Sequence, residues 1–222
     1  MCAAGPTESN LRMRDEDGFG PDDLKDYVDV SRETLERLKF IVGELDEWRR
    51  KTNLIGPSEF GRVWRRHILD SLQLLPHIPT RGHTIDLGSG SGFPALVLAA
   101  CTTDPAAEFS LVESVGKKCA FLRAAILAAD LPAKVIQGRV EAINPVQADC
   151  ITARAFAPLP KLINYAEPWF AQGAYAVIPK GRRWEEELTD ALESWRFAYE
   201  AIPSVSGDGA ILRISEVSRV ER

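Results

Sequence analysis

Over residues 31–51 the apolar positions Leu35, Leu38, Ile41 or Val42, Leu45 and Trp48 return every three or four residues, the mark of one helix face laid on a core. Ser31 stands where its hydroxyl can cap the first turn, and Gly56-Pro57 breaks the chain. A second stripe, Phe60, Val63, Trp64, Ile68, Leu72 and Leu75, predicts a helix opening at Ser58. On its other side Arg62, Arg65 and Arg66 fall at i, i+3 and i+4, which in an α-helix sets three cations on one face. From residue 83 the pattern changes to short apolar runs near 84–87, 108–112, 134–137, 149–153, 174–179, 196–203 and 210–217, alternating with helical stretches. The last two runs are joined by Ser206-Gly207-Asp208-Gly209, a hairpin signal. Strand–helix alternation predicts right-handed crossovers and an α/β fold with a seven-stranded, mostly parallel Rossmann-like sheet, the closing hairpin turning one strand antiparallel. Three regions follow: an acidic tail over 1–21 expected to be disordered, an N-terminal helical cap over 22–80, and the Rossmann-like domain over 81–222.

Composition adds little until charge is located. The chain has 222 residues, 45% of them hydrophobic, and a net charge of −5. Residues 1–30 hold eight acids against three bases, so the remainder is neutral overall, and residues 49–66 carry six bases against Glu59. A local cationic patch can steer a polyanion despite a negative total; a merely solvated helix face explains the same charges equally well. The four cysteines form no C-x-x-C pair and sit beside no histidine cluster, so they read as reduced thiols and no metal site is expected. The N-terminal residues lack a basic n-region and an apolar h-region, and no run approaches a membrane span, so a cytoplasmic protein without membrane attachment is expected.

The chemistry concentrates at Thr84-Ile85-Asp86-Leu87-Gly88-Ser89-Gly90-Ser91-Gly92-Phe93-Pro94. An apolar strand ends at Asp86-Leu87, three glycines alternate, and Pro94 stands where a helix begins. Such glycines let a ligand approach the backbone at the positive end of the following helix. Gly90, Gly92 and Ala95 also satisfy the dinucleotide pattern G-x-G-x-x-[GA], but a carboxylate at the mouth of the loop, Asp86, repels a pyrophosphate and suits the ammonium of a methionine moiety. Glu113 ends the next apolar strand 21 residues after Gly92, where a carboxylate accepts both hydroxyls of an adenosine ribose. The turn Gly138-Arg139-Val140-Glu141 follows the third strand, beside the same crevice, where backbone groups of Val140 and Glu141 can read an adenine edge. Arg154 tops the fourth strand inside the small, apolar run Ala153–Ala157, facing a bound cofactor or its substrate. Together these spacings point to S-adenosyl-L-methionine. The chain lacks both [Asp/Asn]-Pro-Pro-[Phe/Tyr] and a Pro-Cys nucleophile, which disfavours exocyclic-amine and pyrimidine-C5 chemistry. A target that is already nucleophilic, such as guanine N7, needs positioning and desolvation rather than a general base.

These residues resemble a known family, the bacterial small-subunit rRNA guanine-N7 methyltransferases, also called glucose-inhibited division protein B. The resemblance is carried by Lys51-Thr52-Asn53-Leu54, His67-Ile68-Leu69-Asp70-Ser71, the glycine loop through Pro94, Gly116-Lys117-Lys118, Phe121-Leu122-Arg123, Arg139-Val140-Glu141, Arg154–Ala157 and Lys180-Gly181. It spans roughly residues 35–215. It implies N7 methylation of one guanine, position 527 of 16S rRNA in the conventional count, with S-adenosyl-L-methionine as donor and the small ribosomal subunit as partner of a monomeric enzyme. Cofactor contacts carried over from the family fall on Gly88, Phe93, Val140, Glu141 and Arg154. Ile55 and Ala95 depart from the family pattern, and Ile55 bears on the substrate side of the cap. Arg62, Arg65, Arg66, Asn53, His67 and Lys180 are candidates for RNA contact, while His67 and Asp70 serve equally well to pin the cap to the sheet. Two other functions stay open at this point: a nicotinamide-dependent oxidoreductase, and a non-catalytic rRNA-binding assembly factor on a methyltransferase fold. The three histidines, His67, His77 and His83, all precede the glycine loop, which counts against the oxidoreductase.

Overall fold

A computed structural model describes residues 14–221. Helix α1 (Arg32–Arg49) starts where its cap predicts, with the Ser31 hydroxyl accepting from Thr34 N at 3.1 Å. It buries Leu38, Ile41, Val42 and Leu45, the stripe expected of it. The stretch after Gly56 is not one helix. It divides into α2 (Pro57–Phe60), a π-helical segment over Trp64–Leu69, α3 (Asp70–Leu72) and a 3-10 turn at Leu75–His77.

That division corrects two expectations at once. Arg66 N still donates to Arg62 O at 2.8 Å ahead of the wider π turn, but the three arginines do not act as one cationic group. Arg62 and Arg66 are exposed. Arg65 instead turns to the N-terminal segment, with Nε 3.2 Å from Asp17 Oδ2 and the guanidinium 4.2 Å from the centroid of Phe19. The expected disorder over 1–21 fails for residues 14–21, while residues 1–13 lie outside the described chain. Asp15 is buried and accepts from Trp64 N (3.0 Å) and Arg65 N (2.8 Å), satisfying two amides at the opening of the π segment. The acidic segment is therefore a brace for the cap.

The rest of the chain alternates as predicted: β1 (Gly82–Leu87), α4 (Ala95–Cys101), β2 (Ala107–Glu113), α5 (Gly116–Ala128), β3 (Ala133–Gln137), β4 (Cys150–Thr152), α6 (Leu159–Phe170), β5 (Tyr175–Lys180), α7 (Trp184–Leu192), β6 (Trp195–Pro203) and β7 (Ala210–Arg219). The sheet order is β3-β2-β1-β4-β5-β7-β6. All pairs are parallel except β5–β7 and β6–β7, so β7 is the one reversed strand. Order reverses between β1 and β4, which leaves a crevice beyond their carboxyl ends, the usual ligand position of an open α/β sheet. One apolar core lies on the face covered by α1, α4 and α5 and runs without a break into the cap through Trp64, Ile68 and Leu72; a second lies under α6 and α7.

Candidate active site

The glycine loop leaves β1 and runs into α4, with Pro94 capping that helix after a cis Phe93–Pro94 bond. Gly88 (φ +71°) has the side chain of Phe156 where a Cβ would stand, 2.1 Å from Cδ2, so only glycine lets that ring close over the loop. Gly90 (φ +54°) differs: the nearest heavy atom to a Cβ would be Gly88 O at 3.7 Å, leaving open space. A cleft of about 690 Å³ begins there. Its walls include Gly88–Ser91, Phe93, Glu113, Gly138–Glu141, Arg154–Ala157 and Tyr165, with Leu54 and Ile55 of the cap above. The volume suits a nucleoside-sized ligand.

Sequence-predicted residues converge here, though in altered roles. Glu113 lines the cleft, and its two oxygens accept from Gly90 N (2.9 Å) and Val115 N (2.7 Å). Each oxygen keeps a lone pair for a hydroxyl partner, while the two amides hold the loop to β2. Val140 is buried and Glu141 exposed on the 3-10 turn after β3. Lys118 also lines this cleft.

Asp86 does not stand at the mouth of the loop. It lies buried within β1, beneath the glycines, where Oδ1 accepts from Thr152 Oγ1 at 2.8 Å and Oδ2 is buried without a hydrogen-bond partner among the described residues. Burial pushes its carboxyl up to about 6, with the nearby Ser89 hydroxyl, which donates to the Asp86 backbone carbonyl, the Thr152 hydrogen bond and the Arg154 charge pulling the other way. A buried anion with an unused oxygen is the electrostatic counterpart of a cation held just above it. That orphaned oxygen, the open space at Gly90 and the Glu113 edge fit the ammonium, backbone approach and ribose of S-adenosyl-L-methionine.

The native state keeps the Asp86 proton to about pH 6, whereas the unfolded chain releases it near 3.9. This group's contribution to stability is thus fully present below the lower value and lost as pH rises through the higher one. Binding of a cationic ligand runs the opposite way, because it requires the ionised form. Affinity for S-adenosylhomocysteine, which keeps the ammonium, is expected to climb about tenfold from pH 5 to 7, and Asp86→Asn is expected to flatten that climb. Calorimetry across this range checks both.

Arg154 joins the cap to the top of β4. Its Nη1 donates to Arg66 O (2.8 Å) and to Asp70 Oδ2 (3.2 Å), and its Nη2 donates to His67 Nδ1. His67 is stacked on Phe93 with ring centroids 5.0 Å apart. Burial, then the charges of Arg154 and Arg66, holds its imidazole down at about 3, so it is neutral. Asp70 is tied in turn to the β6–β7 turn, its Oδ1 accepting from Gln73 Nε2 (2.9 Å) and Ser206 Oγ (2.6 Å). A second cleft, about 870 Å³, opens on the far side of Arg154 between the cap, the start of α6 and this hairpin turn. The two clefts share Glu59, His67 and Arg154–Ala157.

Of the RNA candidates, Asn53 is exposed and lines neither cleft. Lys180 borders the second cleft but is only 9% exposed, spent on Glu187 Oε2 (2.7 Å) and Ala157 O (3.0 Å). Sequence reasoning missed Glu59, beside His67, and Gln73 and Ser206, which meet from distant parts of the chain. Among the described residues no group of His, Cys, Asp and Glu is placed to hold a metal, and no helix is long and apolar enough to cross a membrane.

Comparison with known proteins decides the family. The profile of the rRNA small subunit methyltransferase G family matches residues 34–209. This chain belongs to that family. It is 60% identical to the ribosomal RNA small subunit methyltransferase G of Hyphomonas neptunium over 192 residues, covering 86% of this chain and 92% of the relative. It is 43% identical to the protein of that name from Paramagnetospirillum magneticum, covering 90% and 98%. In three dimensions it resembles a SAH-bound methyltransferase of Podospora anserina (TM-score 0.54, 15% identity, 85% of this chain and 97% of that one). A SAM-dependent methyltransferase of Aquifex aeolicus is similar to the same degree (TM-score 0.51, 14% identity, 80% and 98%). The family is thus one of methyltransferases, and its fold is the class I Rossmann-like one that the strand pattern predicts. Residues 14–33, which include the Asp15 brace, precede the matched span.

Proposed function

We propose that this chain is a monomeric cytoplasmic enzyme that transfers a methyl group from S-adenosyl-L-methionine to N7 of one guanine in 16S rRNA, position 527 in the conventional count, within the small ribosomal subunit. The observation that carries the reading is the meeting of two clefts at Arg154 and Phe156, one fitted to a cationic nucleoside and the other open to a base. Gly88, Gly90, Phe93, Glu113, Val140 and Glu141 line the donor cleft with Asp86 beneath it, whereas Gly92, expected from the sequence to join them, lies outside the cleft against Leu96 and Leu122 and shapes the turn. When bound there, S-adenosyl-L-methionine supplies an electrophilic methyl carbon that the N7 lone pair takes, the carbon–sulfur electron pair leaving to sulfur with no proton in transfer. The chain has only to bring the base in line and exclude water. The junction agrees with that need, since its one imidazole is held neutral and hydrogen-bonded to an arginine rather than free to act as a base. Reaching N7 requires lifting the guanine from its stack, and the second cleft is where the lifted base fits.

The test is transfer from labelled cofactor to 30S subunits that lack the modification, followed by mapping of the modified base. Label at N7 of that single guanine is expected; absence of transfer overturns the reading. NADH binding tighter than S-adenosylhomocysteine favours the oxidoreductase instead. For the RNA-facing surface, Arg62 and Arg66 are exposed, with Arg66 lining the second cleft, and Arg65 is held by Asp17. Reversing Arg62 and Arg66 to Glu is expected to weaken subunit binding and lower the salt slope by about 1 to 2, while Arg65→Ala leaves the slope nearly unchanged. Binding isotherms at several salt concentrations report both.

A further inference from the structure

Where the two clefts meet, a donor and an acceptor stand side by side, neither hydrogen-bonded among the described residues. His67 Nδ1 receives a proton-bearing nitrogen of Arg154, which has no acceptor to offer in return, so the imidazole proton resides on Nε2. That Nε2 is buried and makes no hydrogen bond among the described residues. It lies 3.4 Å from Glu59 Oε2, close but outside hydrogen-bonding geometry. The other carboxylates of the second cleft are engaged: Asp70 by Arg154, Gln73 and Ser206, Glu187 by Lys180 and Leu159 N, Asp208 by Arg182. Glu59 is the carboxylate common to both clefts; its side chain is 47% exposed, and among the described residues no hydrogen bond ties it down.

We infer that His67 Nε2–H and the Glu59 carboxylate together read the identity of the purine, the imidazole donating to O6 of guanine and the carboxylate accepting from N1–H and the N2 amino group. This rests on the proposed guanine N7 transfer and adds the residues that choose the base. The match is one of pattern: guanine shows acceptor, donor, donor along O6, N1 and N2, and the protein shows donor then acceptor. Adenine sets an amino group against the imidazole N–H and a lone pair against the carboxylate, two repulsions in place of two bonds. The carboxylate is also suited to the reaction itself. Taking the methyl at N7 leaves the purine cationic, so hydrogen bonds from N1–H and N2–H to an anion strengthen as the bond forms, and an interaction that strengthens toward the transition state raises kcat. A partly exposed side chain on the cap, unneeded for packing, can be changed without unfolding the protein.

The experiment compares 30S subunits reconstituted with guanine, inosine or adenine at the target position, using the full chain and Glu59→Gln. Inosine lacks only the N2 amino group. With the unaltered chain, inosine is expected to react about ten- to a hundredfold more slowly than guanine, the worth of a charge-assisted hydrogen bond, and adenine more slowly still. With Glu59→Gln the guanine rate is expected to fall chiefly in kcat, the guanine-to-inosine ratio to shrink toward one, and the adenine rate to rise relative to guanine. S-adenosylhomocysteine affinity, measured by calorimetry, is expected to be unchanged. An undiminished guanine-to-inosine ratio in Glu59→Gln, or a loss of S-adenosylhomocysteine binding with it, overturns the inference while leaving the proposed reaction standing. Failure of the unaltered chain to methylate the guanine-bearing subunit overturns the reaction itself.

Discussion

Gly90→Glu is expected to weaken S-adenosylhomocysteine binding by more than a hundredfold while the protein stays folded. The backbone at Gly90 is left-handed (φ +54°), which costs an L-residue about 1 kcal/mol. A Cβ there meets nothing closer than Gly88 O at 3.7 Å, so no packing is disturbed. The melting temperature is therefore expected to drop by only about 2–4 °C. The new carboxylate, however, projects from a residue lining the donor cleft, next to Glu113, whose Oε2 accepts from the Gly90 amide. It fills space needed by the nucleoside and sets two anions together. Calorimetric affinity beside a thermal melt separates the two effects; full affinity in the variant removes the loop from the cofactor site.

The second large effect is expected from Arg154→Ala, and here stability and activity fall together. The guanidinium is 17% exposed and spans Arg66 O, Asp70 and His67 Nδ1, so its removal leaves two acceptors and a carboxylate short of donors at a shielded junction. Breaking such a partly buried pair from one side costs about 3 kcal/mol, or about 6–12 °C in melting temperature for a chain of this size. Methyl transfer is expected to fall at least a hundredfold, because the cap that carries His67 and Glu59 loses its attachment to β4. Arg154→Lys is expected to recover part of the stability and little of the rate, since one ammonium cannot reproduce the planar fork. A lysine variant with full turnover shows that charge alone suffices and overturns the bridging role.

The strands and the donor cleft were legible because local patterns decide them. Each run of apolar residues found its strand within a few positions, and the glycine spacing marked the loop since only glycine permits the contact between Gly88 and Phe156. Glu113 was legible by its distance from the loop, set by one crossover helix. The cap was less so. Trp64–Leu69 has the apolar stripe of an α-helix but forms a π turn, and its opening amides are satisfied by Asp15, fifty residues earlier in the case of Arg65. No periodicity in the segment itself reveals that partner.

The same division separates what sequence settled for this protein from what required the tertiary structure. The amino-acid order determined the sheet, its reversed strand, the glycine loop and the family, because strand pattern, backbone freedom and motif spacing are properties of contiguous residues. Only the folded chain decided that Asp86 lies under the loop with an unused oxygen, that Arg65 and Lys180 are spent on Asp17 and Glu187, and that Arg154, Asp70, Gln73 and Ser206 form one hydrogen-bonded line from β4 to the hairpin turn. Those are statements about which partner a charged or polar side chain finds. A partner is chosen by proximity across the fold and by the cost of burying a polar group alone, and neither is written in the spacing of neighbouring residues.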